Sequence, residues 1–234
     1  MNSNVPARRR GRFLVLLAGV ALATAVATGL AGPEPSSSAA HAEDPHAHVH
    51  AIGSLESRAV FHDDMRRLWE DHITWTRLAI VTFAHGGAGF DATAARLMQN
   101  QQDIGDAVKP FFGDAAGERL TALLTDHIAI AVDLLEAAKA ADPTAFETDR
   151  AAWFANADDI ADFLAQANPR YWPRATMRAA MRGHLDQTLA EASHELTGDY
   201  AQSVADYDEI HHHILGMADV LSDGIVRAFP TRFH

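Results

Sequence analysis

The sequence predicts an all-α fold: a six-helix antiparallel bundle built from three helical-hairpin repeats of about 55 residues. Three observations carry this. From Leu55 onward apolar residues recur at steps of three and four. The periodic runs are punctuated by Gly, Pro and Asn-Pro at short intervals, and no segment alternates in the manner of a strand hairpin. Finally, features of one helical pair recur in the next at a nearly constant offset.

Taken in order, the first helix carries Phe61, Met65, Leu68, His72, Thr76, Ala79 and Phe83 on one stripe and ends at Gly86-Gly87. The second covers 90–109 and stops near Pro110 and Gly113. The third covers 115–140, with Leu120, Leu124, His127, Ala131 and Leu134 inward, and Asp142-Pro143 closes it. The fourth runs over 143–166 and ends before Asn168-Pro169. The fifth starts after Pro173, carries Met177, Met181, His184 and Leu185, and breaks at Gly198; the sixth runs over 199–228 and ends at Pro230. Six amphipathic helices with short connections pack as an antiparallel bundle.

The segment ahead of them has a different character. Arg8, Arg9, Arg10 and Arg12 precede a stretch from Phe13 to Ala31 without a charge, followed by Pro33, a serine run and Ala40-His41-Ala42. Basic, apolar, then small-x-small is the order of a secretory signal, so residues 1–42 are expected to direct export and to be cleaved before Glu43. A 19-residue helix also spans roughly 28 Å, close to a bilayer core, so residues 13–31 would act as an anchor if left uncleaved. Residues 43–55 read as a His-rich flexible linker in which His46, His48 and His50 alternate; an extended chain would put them on one side, where they could capture Cu, Ni or Zn. Residues 56–234 are the bundle domain.

Composition narrows the function. There are 19 Lys plus Arg against 31 Asp plus Glu; without residues 1–42 the balance is 15 against 30. So acidic a surface repels phosphate backbones and argues against nucleic-acid binding. Cysteine is absent, which removes disulfides, thiolate metal sites and Cys nucleophiles. Nor does the sequence hold a Gly-rich phosphate loop, a Gly-x-Ser-x-Gly elbow or a His-Glu-x-x-His zinc helix.

The repeat supplies the candidate site. Leu68-x3-His72, Leu123-x3-His127 and Ala180-x3-His184 place a histidine in mid-stripe on each odd helix, at spacings of 55 and 57. On the even helices, Asn100 to Asp106 (NQQDIGD) echoes Asn156 to Asp162 (NADDIAD) at a shift of 56. A further 55 residues reaches His211, with Ile214 where Asp103 and Asp159 sit and Gly216 where Gly105 and Ala161 sit, so the third hairpin reads as degenerate. Three related hairpins would aim His72, His127 and His184 at one interior.

Buried polar groups left unpaired cost roughly 2–7 kcal/mol, so these rings need partners. Two accounts fit. Each His can pair with an Asp or Asn of its own hairpin and fix helix register. Alternatively His72, His127, His184 and His211 with Asp103 and Asp159 converge on a divalent transition metal (Zn, Cu, Fe or Mn), with Asn100 and Asn156 supporting the bound ion from behind the ligands. The expected function on the second account is metal capture, buffering or sensing; the alternatives are a non-catalytic envelope protein with a structural polar core and a metal-dependent hydrolase or transferase. Glu70, Asp71 and Asp126 are expected at the stripe edge or surface, and Trp69, Trp75, Trp153 and Trp172 in the core or at helix interfaces.

Leu-Trp-Glu-Asp-His-Ile-Thr-Trp-Thr-Arg at 68–77, Gln-Asp-Ile-Gly at 102–105, Ala-Asn-Ala-Asp-Asp-Ile at 155–160 and Leu-Ser-Asp-Gly-Ile at 221–225 resemble a family of small exported bacterial all-helical proteins, over about residues 60–233. The resemblance implies a single exported helical domain and assigns no activity. Some members carry a glycosyltransferase label, but sugar-nucleotide transferases are normally α/β proteins, and this sequence shows no nucleotide-binding sheet pattern.

Overall fold

Every apolar stripe of the sequence becomes one helix. A computed structural model describes residues 46–233, with side chains from residue 55 onward. The helices are α1 His46–Ala84, α2 Phe90–Phe112, α3 Asp114–Lys139, α4 Pro143–Ala167, α5 Arg174–Thr197 and α6 Tyr200–Ala228, followed by a single 3₁₀ turn, Pro230–Arg232. There is no strand among the described residues. The expected export signal, its cleavage point, the anchor segment and the side chains of His46, His48 and His50 lie outside them.

Local chemistry explains most of the helix ends. Asp142 caps α4, its Oδ1 accepting from the Ala145 amide at 3.0 Å, with Pro143 fixed at the first helical position. Asp199 caps α6 in the same way through the Gln202 amide. Gly198 ends α5 in the left-handed region at φ 82°. Two ends differ from expectation. α2 runs through Pro110 to Phe112, although Pro110 has no amide to donate to the Asp106 carbonyl, and Gly113 (φ 87°) then makes the break. α1 extends back to His46, so most of the expected linker is helical; past Pro45 no proline interrupts it.

The helices form a closed ring. Each packs on its neighbours in sequence, α6 returns to α1, and α5 also touches α1 across the interior. One continuous core, including Trp69, Ile73, Ile104, Trp153, Ile160, Trp172, Leu185 and Ile225, runs through all six. α2 and α3 approach closely where a methyl on Gly105 would lie 2.7 Å from the Gly117 carbonyl oxygen, so those backbones can meet only without a Cβ.

Among the described residues no helix is long and apolar enough to cross a membrane.

Candidate functional site

The odd helices place His72 (α1), His127 (α3) and His184 (α5) on their inward stripes, and each ring is at least 96 % buried. They face one another. The His72 and His184 ring centroids are 5.8 Å apart, and those of His127 and His184 6.3 Å. All three border one cavity of about 60 Å³ whose wall is otherwise apolar, apart from Thr76 and Thr188. The threonine hydroxyls are occupied, donating to the His72 and His184 carbonyls at 2.8 Å.

The repeat recurs as bonds. In the first hairpin Asn100 Nδ2 donates to the Leu68 carbonyl at 2.9 Å; in the second Asn156 Nδ2 donates to the Leu123 carbonyl at 3.1 Å. Each carbonyl belongs to the residue four before the histidine. The third hairpin makes the same link with another residue: His213 Nε2 donates to the Ala180 carbonyl at 3.0 Å. The equivalent of Asn156 is therefore His213, at a shift of 57, the same shift that separates His127 from His184. The expectation placed His211 there. His211 is instead half-buried near the surface, 3.4 Å from Glu70.

The two aspartates expected at the site are not there either. They lie one residue position off the buried stripe, where a 100° step turns a side chain outward. Asp103 accepts from Gln99 at 3.1 Å and pairs with Arg96, and Asp159 is exposed. Three of the six expected ligands thus come together, His72, His127 and His184, and three do not. Among the described residues no three His, Asp or Glu side chains already stand in a metal-holding arrangement. Asn100 and Asn156 are buried. Glu70 and Asp126 are exposed and Asp71 partly so, while Trp69, Trp153 and Trp172 are buried core.

Hydrogen-bond chemistry fixes which nitrogens are free. Asn156 Nδ2 is used on Leu123, so its Oδ1 faces His127 Nδ1, which must donate across the 2.8 Å contact. A neutral His127 then keeps a lone pair on Nε2. His72 is the reverse: Gln101 Nε2 approaches its Nδ1 at 3.3 Å while also donating to the Leu97 carbonyl at 2.7 Å, so His72 Nδ1 accepts and its proton sits on Nε2. His184 Nδ1 is buried with no partner.

All three rings are neutral at pH 7. Burial drives His72 and His127 down to about 4, against the opposing pull of Asn100 and Gln101 on the first and Asn156 on the second. Burial, with the nearby His72, His127 and His213, holds His184 well below the ordinary imidazole range.

A second polar cluster, which the sequence reading assigned no role, lies where α1, α5 and α6 meet. Arg77 contacts Glu191 at 3.0 Å and Glu195 at 3.2 Å and also donates to Ser203; Ser203 Oγ donates to Glu195 at 2.7 Å, and His85 Nε2 lies 3.0 Å from the other Glu195 oxygen. Glu191 is fully buried with Oε2 unpartnered, and burial pushes it up to about 7 against the pull of Arg77. Burial acts on Glu195 in the same direction, but Ser203, His85 and Arg77 outweigh it and hold that carboxyl below its usual range. The sequence did hold a signal: Glu191 and Glu195 continue the buried stripe of Met177, Met181, His184 and Thr188, and carboxyls on such a stripe need a cation or a proton.

Comparison with known proteins returned no matching family model, no matching curated protein and no matching solved structure.

Proposed function

We propose that this chain is an extracytoplasmic helical-bundle protein that binds a transition metal ion at the cavity bordered by His72, His127 and His184, for capture, buffering or sensing. The observation that carries the reading is three neutral imidazoles from three repeat-related helices facing one cavity, one with its Nε2 lone pair free and one with a buried nitrogen lacking any partner. Neutral imidazole is the ligating form, and imidazole suits Zn, Cu and Fe. With metal–nitrogen distances of about 2.0–2.1 Å, rings sharing a tetrahedral ion have centroids roughly 5 Å apart, so the His72–His184 and His127–His184 pairs must each close by about 1 Å. His72 must also move its proton from Nε2 to Nδ1, at the cost of the Gln101 amide contacts to His72 and the Leu97 carbonyl. A cavity of about 60 Å³ has room for an ion and a few waters and none for a sugar, which favours holding an ion over hydrolase or transferase chemistry.

The structural reading has support of its own. His72 and His127 each find a partner inside their own hairpin, and no carboxylate enters the cavity to offset an ion's charge. The test is metal-dependent stability in a chain whose His46, His48 and His50 are replaced by alanine. On the metal reading, Zn(II) or Cu(II) raises the melting temperature and His127→Ala and His184→Ala abolish the rise. An unchanged melting temperature at saturating metal in the parent leaves only the structural role.

A further inference from the structure

The third hairpin departs from the repeat, and its departures gather at one place. With the register set by His213, the residues equivalent to Leu68 and Leu123 are Ala180, and those equivalent to Asp103 and Asp159 are Gly216. Both replacements remove side chain. Beside them lies a groove of about 330 Å³ between α5 and α6, bordered by Ala180, Gly216, Met177, Met181, Met217 and His213. A Cβ on Gly216 would meet nothing within 4 Å. Two of the thioethers are gains in the third hairpin: Met181 stands where Trp69 and Leu124 do, and Met217 where Ile104 and Ile160 do.

Methionine in a core ordinarily fills irregular gaps. Met177, Met181 and Met217 are buried in the core, and the same three of the chain's six methionines also border this open space. His213 adds a nitrogen. Its Nε2 donates to the Ala180 carbonyl, so the neutral ring holds a lone pair on Nδ1. His212, exposed at the same rim, makes no hydrogen bond or ion pair among the described residues. Thioethers are soft donors and imidazole a borderline one, and a set dominated by thioethers selects a monovalent d¹⁰ ion over Zn(II) or Mn(II). A single positive charge also suits a groove lined by thioethers and no carboxylate, since the cost of desolvating an ion grows with the square of its charge.

We infer that the α5–α6 groove is a binding site for a soft monovalent metal ion of the Cu(I) class, held by Met177, Met181, Met217 and His213. The inference uses other atoms than the histidine trio and stands independently of it.

The test is titration of the tail-substituted chain, carrying ¹³C-methyl methionine, with Ag(I) in chloride-free buffer. The Met177, Met181 and Met217 methyl resonances, assigned through single Met→Leu variants, are expected to shift together up to one equivalent while those of Met65 and Met98 stay in place. The inference is overturned if none of the three moves at saturation, or if all five move alike. Competition against a chromogenic Cu(I) chelator under anaerobic conditions adds a second readout: M181L/M217L and His213→Asn, which restores the residue of the other hairpins, should each weaken Cu(I) binding at least tenfold. Parent-like Cu(I) affinity in both variants contradicts the site. Zn(II) protection separates the two readings: if it persists while Ag(I) moves no methionine, only the groove fails; if it is absent while the three methyls shift, only the trio reading fails.

Discussion

The bundle buries two polar clusters, and it solves the cost of burying them in opposite ways. At the histidine trio the rings give up their protons: burial keeps all three neutral, and hydrogen bonds within each hairpin absorb Nδ1 of His72 and of His127. At the seam of α1, α5 and α6 charge is kept, with Arg77 lying between Glu195, held below its usual carboxyl range, and Glu191, which burial pushes up to about 7. The trio follows the repeat and leaves free nitrogens around a cavity. The charged cluster ignores the repeat and joins the first helix to the last pair. Three neutral rings around a cavity leave space for a ligand, whereas the Arg77 network ties the first helix to the last pair.

The largest expected effect breaks the charged cluster. Arg77→Met leaves Glu191 and Glu195 buried without a cation and should cost about 3–5 kcal/mol in denaturant unfolding. Adding Glu191→Gln should recover part of that loss. A cost below about 1 kcal/mol would mean that the seam does not depend on the pairing.

The two clusters also respond to pH with opposite sign. His72 and His127 have folded values of about 4 against 6.5 in an unfolded chain, so their contribution is complete above 6.5 and is lost as pH falls toward 4, on the order of 3 kcal/mol each. Glu191, raised to about 7, contributes fully below 4.5 and loses that contribution as pH rises through 7. Near pH 5.5 the three histidines and Glu191 together should make unfolding take up roughly two protons, and Glu191→Gln should raise the figure to about three. A slope unchanged by that substitution would contradict the assignment of Glu191 as protonated in the fold.

Smaller effects separate the trio from its surroundings. Asn156→Ala removes both the acceptor of His127 Nδ1 and the donor to Leu123, and should cost about 1–3 kcal/mol. His211→Ala, Asp103→Ala and Asp159→Ala should each stay within about 0.5 kcal/mol of the parent and leave metal binding unchanged. A loss of bound metal in any of these three would return that residue to the site.

Periodicity made the fold legible: five of the six helices begin and end within three residues of their expected bounds, because Gly113, Asp142-Pro143, Pro173 and Gly198 are local signals. The exception was the start of α1. The site was legible in part. The mid-stripe histidines and the two asparagines could be read because equivalence at 55–57 residues marks equivalent burial. His211 was misassigned because a 55-residue offset was carried into a hairpin whose register is 57, and two residues on a helix turn a side chain by about 200°. Asp103 and Asp159 were misassigned because an echo in sequence does not say which side of the stripe a residue takes. The charged seam spans 114 residues between Arg77 and Glu191, a pairing that no local pattern encodes.

The most direct test of the account is long-range ¹⁵N–¹H spectroscopy of the histidine rings, without metal and with one equivalent of Zn(II), in the chain lacking the tail histidines. Without metal, His127 should show the Nδ1–H tautomer and His72 the Nε2–H tautomer, both neutral down to about pH 5. With Zn(II), His127 Nε2 and one nitrogen each of His72 and His184 should move to the shifts of ligated imidazole. Three rings whose tautomers and shifts do not change at saturating Zn(II) would contradict the claim that the trio is a metal site.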